Sequence, residues 1–404
     1  MLSTHQEKED TGRIYELAKG SEVILLRKEV IMGRDVYEKL AEHLDNLPGG
    51  YPKTASGVEM RILRRLFSKE DAEFALHLTV IPEEPRVIAR RAGIVVEEAA
   101  RRLEEMEKRG LVLGIPRKDT PTLYMALQFA VGVWEAQVNK LNRELVEDFE
   151  EYMSAAFDPD VWRKAPQLRT IPVNRSISVR NEVMPYERAE ELVRANKSFA
   201  VTNCICRQEQ HILGKGCDKP LESCLSFGTA AKSYVRTGRG RAISREEALE
   251  VLHRAEKAGL VLQPANAKHP SFICTCCGCC CGVLRSLKRD PKPSSVISSP
   301  FFASLNTDTC SGCGTCVERC QMEAIHVNDE KAALNLDRCI GCGLCVSTCP
   351  TESLSLVRKT EQPYVPKDIT ETSLRMLKTR GKGGLTKLVG LRVRSKLDRL
   401  LAPK

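Results

Sequence analysis

Two runs of four cysteines with the same spacing constrain this chain more than any other feature of its 404 residues. The runs are Cys310-x2-Cys313-x2-Cys316-x3-Cys320 and Cys339-x2-Cys342-x2-Cys345-x3-Cys349, the second followed directly by Pro350. Three closely spaced thiolates can wrap one face of an iron–sulfur cube, and the fourth cysteine of such a run reaches a second cube. Glycines stand between the ligands, where the backbone must approach sulfide closely. The pattern predicts two [4Fe–4S] clusters.

The two runs resemble bacterial two-cluster ferredoxins. That resemblance implies that each cluster takes three cysteines from one run and the last cysteine of the other, and that the intervening segment AIHVNDEKAALNLDRC forms a hairpin. Gln321 departs from the family, which often has proline there, but removes no ligand. The resemblance thus assigns Cys310, Cys313, Cys316 and Cys349 to one cluster, and Cys339, Cys342, Cys345 and Cys320 to the other.

The other ten cysteines lie between Cys204 and Cys281, and the segments that carry them repeat an order of elements. A helix (YERAEELVRA), a strand from Ser198 to Thr202 and then Cys204 and Cys206 form the first copy. The second has a helix (REEALEVLHRAEKAG), an extended piece from Leu260, and then Cys274 and Cys276. We expect a duplicated α/β unit that presents metal ligands at matching strand ends.

Each copy contains enough thiols for one cluster, because a cubane takes four. We expect the first set to be Cys204, Cys206, Cys217 and Cys224. The second is four of Cys274, Cys276, Cys277, Cys279, Cys280 and Cys281; the sequence does not fix which, and Cys274, Cys276, Cys277 and Cys280 are the working set. One or two further [4Fe–4S] clusters are the favoured interpretation. Structural zinc, which usually takes paired C-x2–4-C knuckles, and unligated or redox-active thiols remain alternatives. We interpret His211 and His269 as surface or hydrogen-bonded residues.

The N-terminal half contains no cysteine, and its run IARRAGIVVEEAARRLEEMEKRGLV resembles the winged helix-turn-helix of bacterial regulators. In those proteins the second helix enters the major groove of DNA. The corresponding helix here, from Val96 to Arg109, carries more acidic than basic residues, and phosphate would repel it. The sequence therefore favours a structural or partner-docking winged helix over DNA binding. A long helix is predicted over residues 122–153, where Trp134, Val138, Leu141, Leu145 and Phe149 recur at helical spacing.

The formal net charge of +9 is concentrated in the tail, since residues 367–404 hold eleven Lys and Arg against three Asp and Glu. In a helical projection, Leu385, Val389, Leu397 and Leu400 share one side of this tail. Three interpretations stay open: contact with an anionic membrane, docking on an acidic partner, and a solvated segment.

These features predict a multidomain α+β protein. Its expected parts are a helical lead-in (1–53), a winged-helix-like domain plus long helix (54–155), a cysteine-rich α/β domain with an internal repeat (156–300), a two-[4Fe–4S] ferredoxin-like module (301–358) and a basic amphipathic tail (359–404). The N-terminus lacks the apolar core of a signal peptide and no apolar run is long enough to span a bilayer, so we expect a cytoplasmic protein.

The sequence contains neither a G-x-G-x-x-G motif after a strand nor a Walker lysine motif, and no catalytic residue is predicted. The whole arrangement of cysteines and domains resembles the multi-domain 4Fe–4S dicluster proteins of anaerobic bacteria. That resemblance implies an electron-transfer subunit of a cytoplasmic anaerobic oxidoreductase complex. Three or four [4Fe–4S] clusters would relay single electrons to or from a redox partner protein, such as a flavoprotein. One alternative is a redox-sensing transcription regulator that uses the winged helix. Another is an enzyme in which the CTCCGCCC segment keeps an iron site open for substrate.

Overall fold

The computed structural model describes residues 35–177, 182–381 and 384–403. Residues 1–34 of the predicted helical lead-in lie outside the described residues. The helices are α1 (Val36–Asp45), α2 (Val58–Leu66), α3 (Lys69–Ala75), α4 (Pro85–Ala92), α5 (Val96–Arg109), α6 (Arg143–Ala156), α7 (Pro159–Lys164), α8 (Ala189–Arg194), α9 (Ile205–Ile212), α10 (Gly228–Arg236), α11 (Arg245–Lys257), α12 (Gly282–Arg289), α13 (Pro293–Val296), α14 (Thr315–Arg319), α15 (Ile369–Thr379) and α16 (Gly384–Leu401). The strands are β1 (Val112–Arg117), β2 (Thr120–Ala126), β3 (Phe199–Asn203), β4 (Glu222–Phe227), β5 (Arg241–Ile243), β6 (Val261–Pro264), β7 (Phe272–Cys276), β8 (Phe301–Leu305), β9 (Ile325–Asn328), β10 (Lys331–Leu334) and β11 (Leu354–Arg358).

Local capping signals set the helices of the N-terminal part. Ser68 begins α3 with a capping box in which its side chain and that of Asp71 each bond the other residue's backbone N–H. Gly93 and Gly110 end α4 and α5 in the left-handed conformation, which costs glycine little. The predicted bounds of α5 are confirmed, and β1 and β2 form an antiparallel hairpin directly after it.

The long helix predicted over residues 122–153 is wrong. Its first residues belong to β2, and the segment that follows bends through irregular turns with extended backbone at Gly132 and a positive φ at Asn139. Only α6 is helical over the second half of that range. The aromatic residues are nonetheless core, because the ring of Trp134 stacks on that of Phe149 with centroids 3.5 Å apart. Residues 15 positions apart could not meet in this way on one straight helix.

A five-stranded antiparallel sheet organises the cysteine-rich domain, in the order β5-β3-β4-β7-β6. The predicted helices and strands of the two copies are present at α8 and β3 and at α11 and β6. Their cysteines are placed differently, however. Cys204 and Cys206 follow β3 and lie at the start of α9, whereas Cys274 and Cys276 lie within β7. The cysteines therefore do not occupy matching strand ends.

The C-terminal module is built from two small antiparallel sheets. Strand β8 pairs with β11, so that the two ends of the module lie side by side, and β9 pairs with β10 as the predicted hairpin. Together these parts make a mixed helix-and-sheet protein.

Partly buried ion pairs join the parts of the molecule. Glu107 on α5 is 1% exposed and pairs with Arg236 on α10, and its backbone carbonyl accepts a hydrogen bond from Arg239. Glu150 on α6 receives both terminal nitrogens of Arg285 on α12, at 2.7 and 2.5 Å. The N-terminal part is thus docked on the cysteine-rich domain from two sides.

The basic tail forms two helices, and α16 packs on α4 through Asp398, which accepts a 2.6 Å hydrogen bond from Nε of Arg91. Leu385 lies in a part of α16 whose side chains are not described. The apolar residues Val389, Val393, Leu397 and Leu400 on the remaining turns are exposed. No helix within the described residues is long and apolar enough to cross a membrane.

Candidate metal centres

Each cysteine run of the C-terminal module curls around one cavity, and glycines make the tight path possible. Gly312, Gly314, Gly341 and Gly343 all have positive φ, between +66° and +78°. A Cβ at Gly341 would collide with the carbonyl oxygen of Phe301, and one at Gly312 with that of Glu330. Glycine is therefore required at both positions by backbone conformation and by space.

The cysteine side chains gather into two sets of four. They line two small cavities of about 20 Å³ each, cavity A and cavity B. Each is lined by three cysteines of one run and the last cysteine of the other, the grouping that the ferredoxin resemblance implied. Cavity A is lined by Cys310, Cys313, Cys316 and Cys349, and cavity B by Cys320, Cys339, Cys342 and Cys345.

Backbone N–H groups point at sulfur in both cavities. The amide of Ala332 lies 3.4 Å from Sγ of Cys310 in cavity A, and that of Ala303 lies 3.3 Å from Sγ of Cys339 in cavity B. The amide of Ala324 lies 3.2 Å from Sγ of Cys320. Such donors stabilise thiolate charge and help to set the potential of a bound cluster.

The two cavities differ in their exposure to water. Burial raises the pKa of Cys342 to about 12, and it raises the pKa of Cys345 well above the usual range. Cys313 of cavity A is exposed, and hydrogen bonding with Thr315 lowers its pKa. Cavity B is thus the drier site, and a metal must displace protons from its thiols.

Residues 303–356 match the family model of the 4Fe-4S dicluster domain. The matched segment contains all eight cysteines of the two runs. No curated protein and no solved structure matches the chain. The dicluster domain, the fit of four thiols around each cavity and the cysteine-rich region beside it support an iron–sulfur protein.

Six further cysteines meet behind the dicluster domain, on α9, β4, β7 and the start of α12. Each thiol affects the pKa of two others, so that the six form a closed sequence of interacting groups, which we call the six-thiol ring. In order around the ring they are Cys204, Cys206, Cys281, Cys276, Cys274 and Cys224.

Around this ring, cysteines with a lowered pKa alternate with cysteines with a raised pKa. Hydrogen bonds from its two neighbours lower the pKa of Cys274 to about 6, and the same arrangement lowers the pKa values of Cys204 and Cys281. The intervening thiols keep their protons, because donating to those thiolates raises their pKa values. Six thiols this close cannot all ionise without a compensating cation, which a bound metal provides.

Two charged groups lie beside the ring. Arg207 is fully buried and donates to the carbonyl oxygen of Thr275 at 3.1 Å. Burial alone would lower its pKa, but the electrostatic interaction of the guanidinium with the sulfur groups of Cys204 and Cys224 raises it. Glu135 interacts with Cys274 and Cys281, and burial raises its pKa to about 7 although the backbone N–H of Gly132 donates to it. Arg207 therefore supplies positive charge at the thiols.

The remaining four cysteines form a second, tighter group, the four-thiol site. The Sγ atom of Cys217 lies 3.5 Å from that of Cys280 and 3.9 Å from that of Cys277. Sγ of Cys279 lies 3.7 Å from that of Cys280, and all four sulfur atoms are within 4.8 Å of one another.

The structure therefore corrects the grouping expected from the sequence. Cys217 does not lie with Cys204, Cys206 and Cys224, because the loop after α9 carries it to the turn that follows β7. The working set of Cys274, Cys276, Cys277 and Cys280 is divided between the two sites. Cys279 and Cys281, left out of that set, lie at the four-thiol site and in the six-thiol ring.

One sequence signal could have indicated this division. Alternate residues of a strand share a face, so Cys274 and Cys276 point the same way and Cys277 does not. His211 and His269 are both exposed, and among the described residues neither belongs to a candidate metal-binding group.

Proposed function

We propose that the chain is an electron-transfer protein that passes single electrons through three [4Fe–4S] clusters. Cavities A and B would each hold one through their four thiols, and the six-thiol ring would hold the third. Such clusters, once bound, supply one-electron redox chemistry. The observation that carries the proposal is that each dicluster cavity gathers four thiols from both runs within the matched domain.

The packing of cavity B supports a path toward the interior. Cys320 and Cys342, from its wall, pack against the same buried core as Cys276 and Cys281 of the six-thiol ring. Among the described residues, no cysteine of cavity A belongs to that core, and Cys313 of cavity A is exposed. Electrons would therefore exchange with a partner at cavity A and pass through cavity B to the ring.

The partner we propose is another redox protein, for instance a flavoprotein, within a larger oxidoreductase complex. The apolar side chains of Val389, Val393 and Leu397 on α16 offer a surface beside basic residues. Docking on an acidic partner and peripheral contact with an anionic membrane both stay predictions for this helix.

The contacts of α5 weigh against the alternative of a DNA-binding redox sensor. Arg101 and Arg102 both bond Glu98 on the same helix, at 2.9 and 2.6 Å. Lys108 pairs with Glu104 at 2.8 Å. Basic groups engaged in this way offer little to phosphate. The enzyme alternative is disfavoured at the six-thiol ring, because the thiols of Cys204, Cys276 and Cys281 are buried there.

The test uses the full chain, purified without oxygen, with iron and sulfide analysis and electron paramagnetic resonance after reduction. We expect about twelve irons per chain, since each cluster contains four. Cys313→Ser and Cys342→Ser should each remove one signal of the dicluster domain. Cys206→Ser should lower the iron content by about four and leave those signals in place. Ser347→Ala, which changes a residue between ligands, is the control.

Colourless protein without iron would contradict the proposal, as would protein that contains zinc alone. A reduced sample that returns no electrons to a one-electron acceptor would contradict the electron-transfer role. For the regulator alternative, binding to the chain's own promoter DNA at low salt would be the supporting result.

A further inference from the structure

The four-thiol site has the dimensions of a site for one metal ion. In a tetrahedral zinc site with Zn–S bonds of about 2.3 Å, the sulfur atoms lie about 3.8 Å apart. The sulfur–sulfur distances here are 3.5, 3.7 and 3.9 Å for three of the pairs. A single ion of that size would therefore contact all four thiols at once.

The dicluster cavities provide an internal comparison. In a cubane each cysteine binds a different iron, so its four ligands stand farther apart than those of a single ion. Among the residues that the structure describes, the four-thiol site is the group of sulfur atoms that all lie within 4.8 Å of one another. The thiols of cavities A and B are spread more widely. The four-thiol site is thus too tight for the cluster that those cavities fit.

We propose that Cys217, Cys277, Cys279 and Cys280 bind one tetrahedral zinc ion. The spacing of Cys277 and Cys280 is that of a C-x2-C knuckle, the usual zinc-binding pair, with Cys279 inside it and Cys217 contributed by a distant loop. The C-x-C pairs of the six-thiol ring lack this spacing.

The surroundings of the site suit a thiolate-bound cation. Four thiolates around Zn²⁺ carry a net negative charge, and Nη1 of the buried Arg207 lies 3.7 Å from Sγ of Cys277. The knuckle is also held from outside, because the amide of Gly278 donates to Oε1 of Gln321 at 2.8 Å. Lys219 anchors the other loop by donating to the carbonyl oxygen of Ala258 at 2.8 Å.

The ion would serve as a structural clip. Zinc has no redox chemistry, so it would carry no electrons itself. It would fix the loop after α9 to the turn before α12, and through Gln321 it would fix that turn to the residue that follows Cys320 of cavity B. The zinc would thereby hold the dicluster domain and the six-thiol ring in one arrangement.

The test is metal analysis and zinc X-ray absorption spectroscopy on the full chain, from cells supplied with both zinc and iron. We expect about one zinc per chain with four sulfur neighbours at about 2.3 Å. Cys217→Ser should lose the zinc and keep the dicluster signals, whereas Cys313→Ser should keep the zinc. If Cys217→Ser fails to fold, Cys279→Ser, at an exposed thiol, should replace one sulfur neighbour by a lighter atom.

Three results would overturn the proposal. The first is wild-type protein without zinc in which Cys217→Ser lowers the iron content by about four, the content of one cluster. The second is a single iron at the site, and the third is zinc bound by oxygen and nitrogen. Because iron and sulfide report the clusters and zinc reports this site, failure here would be distinct from failure of the electron-transfer proposal.

Discussion

Nη1 of Arg207 lies 3.7 Å from Sγ of Cys277, and the guanidinium is also close enough to interact with the thiolate of Cys204. One fully buried cation therefore serves both the four-thiol site and the six-thiol ring. Its terminal nitrogens are further held by Thr275 and Ser223. Positive charge is thus fixed between two groups of sulfur that would otherwise repel one another when ionised.

Arg207→Gln should weaken metal binding at both sites, because it removes the charge that offsets their thiolates. We expect metal release to a chelator to accelerate about tenfold, the lower end of what loss of an outer-shell partner causes. The measurement is the rate of zinc and iron release, followed with a chromogenic chelator. Arg241→Gln, at an exposed residue paired with Glu222, should leave both rates unchanged. Equal rates in the two variants would show that Arg207 does not act on the metals.

Ala332→Pro should lower the reduction potential of the cluster in cavity A. The substitution removes the N–H that lies 3.4 Å from Sγ of Cys310, and that donor stabilises the more negative, reduced cluster. A loss of about 1 kcal/mol corresponds to roughly 40 mV for one electron. Redox titration followed by electron paramagnetic resonance measures the shift.

The same hairpin offers the control. Val327 stands opposite Ala332 in the β9–β10 register. The Ala332 amide points to sulfur, so Ala332 and Val327 are a pair whose backbone groups do not hydrogen-bond to each other. In such a pair the Val327 amide also points away from the partner strand. Val327→Pro should therefore leave the potential unchanged. A shift of the same size there would indicate that the hairpin backbone, and not the N–H···S bond, controls the potential.

Glu107→Ala should destabilise the contact between the N-terminal part and the cysteine-rich domain. It removes the buried carboxylate that pairs with the partly exposed Arg236, and losing a hydrogen bond between charged groups costs about 2 kcal/mol. We expect a lower urea midpoint by tryptophan fluorescence, since Trp134 is buried in that part. Glu105→Ala, at an exposed position on the same helix, should change the stability by about 0.5 kcal/mol or less. Similar midpoints for both variants would exclude Glu107 as a docking residue.

Gln321→Ala should loosen the four-thiol site from outside, because the amide of Gly278 loses its acceptor. Zinc release should accelerate about tenfold, as for other outer-shell partners. Gln321→Glu keeps an acceptor oxygen and should restore the wild-type rate. Unchanged release from Gln321→Ala would show that the hydrogen bond does not support the site.

Gly278→Ala tests the contact between residues 278 and 321 by adding a methyl group. A Cβ at position 278 would collide with the carbonyl oxygen of Gln321, so the knuckle and the dicluster domain could not both keep their places. The zinc content of Gly278→Ala should therefore be lower than that of Gln321→Ala. Full zinc retention in Gly278→Ala would mean that the knuckle can move away from Gln321 without weakening zinc binding.

Much of the fold follows from local signals in the sequence. The predicted helix from Val96 to Arg109 and the predicted hairpin between the two cysteine runs are both present, and each depends on residues that are close in the sequence. The long helix predicted over residues 122–153 was wrong because the spacing of apolar residues after β2 resembles that of a helix. The spacing arises instead from separate turns that bring Trp134 onto Phe149.

The sequence alone determined the dicluster domain, because its ligands lie within 40 residues and their spacing dictates how the chain curls around each cavity. Only the tertiary structure decided how the other ten cysteines divide. Cys217 and Cys277 are 60 residues apart, and their meeting depends on the antiparallel pairing of β4 with β7 and on the loops that leave that sheet. Spacing sets local geometry, whereas the distance between separate segments depends on the packing of the whole domain.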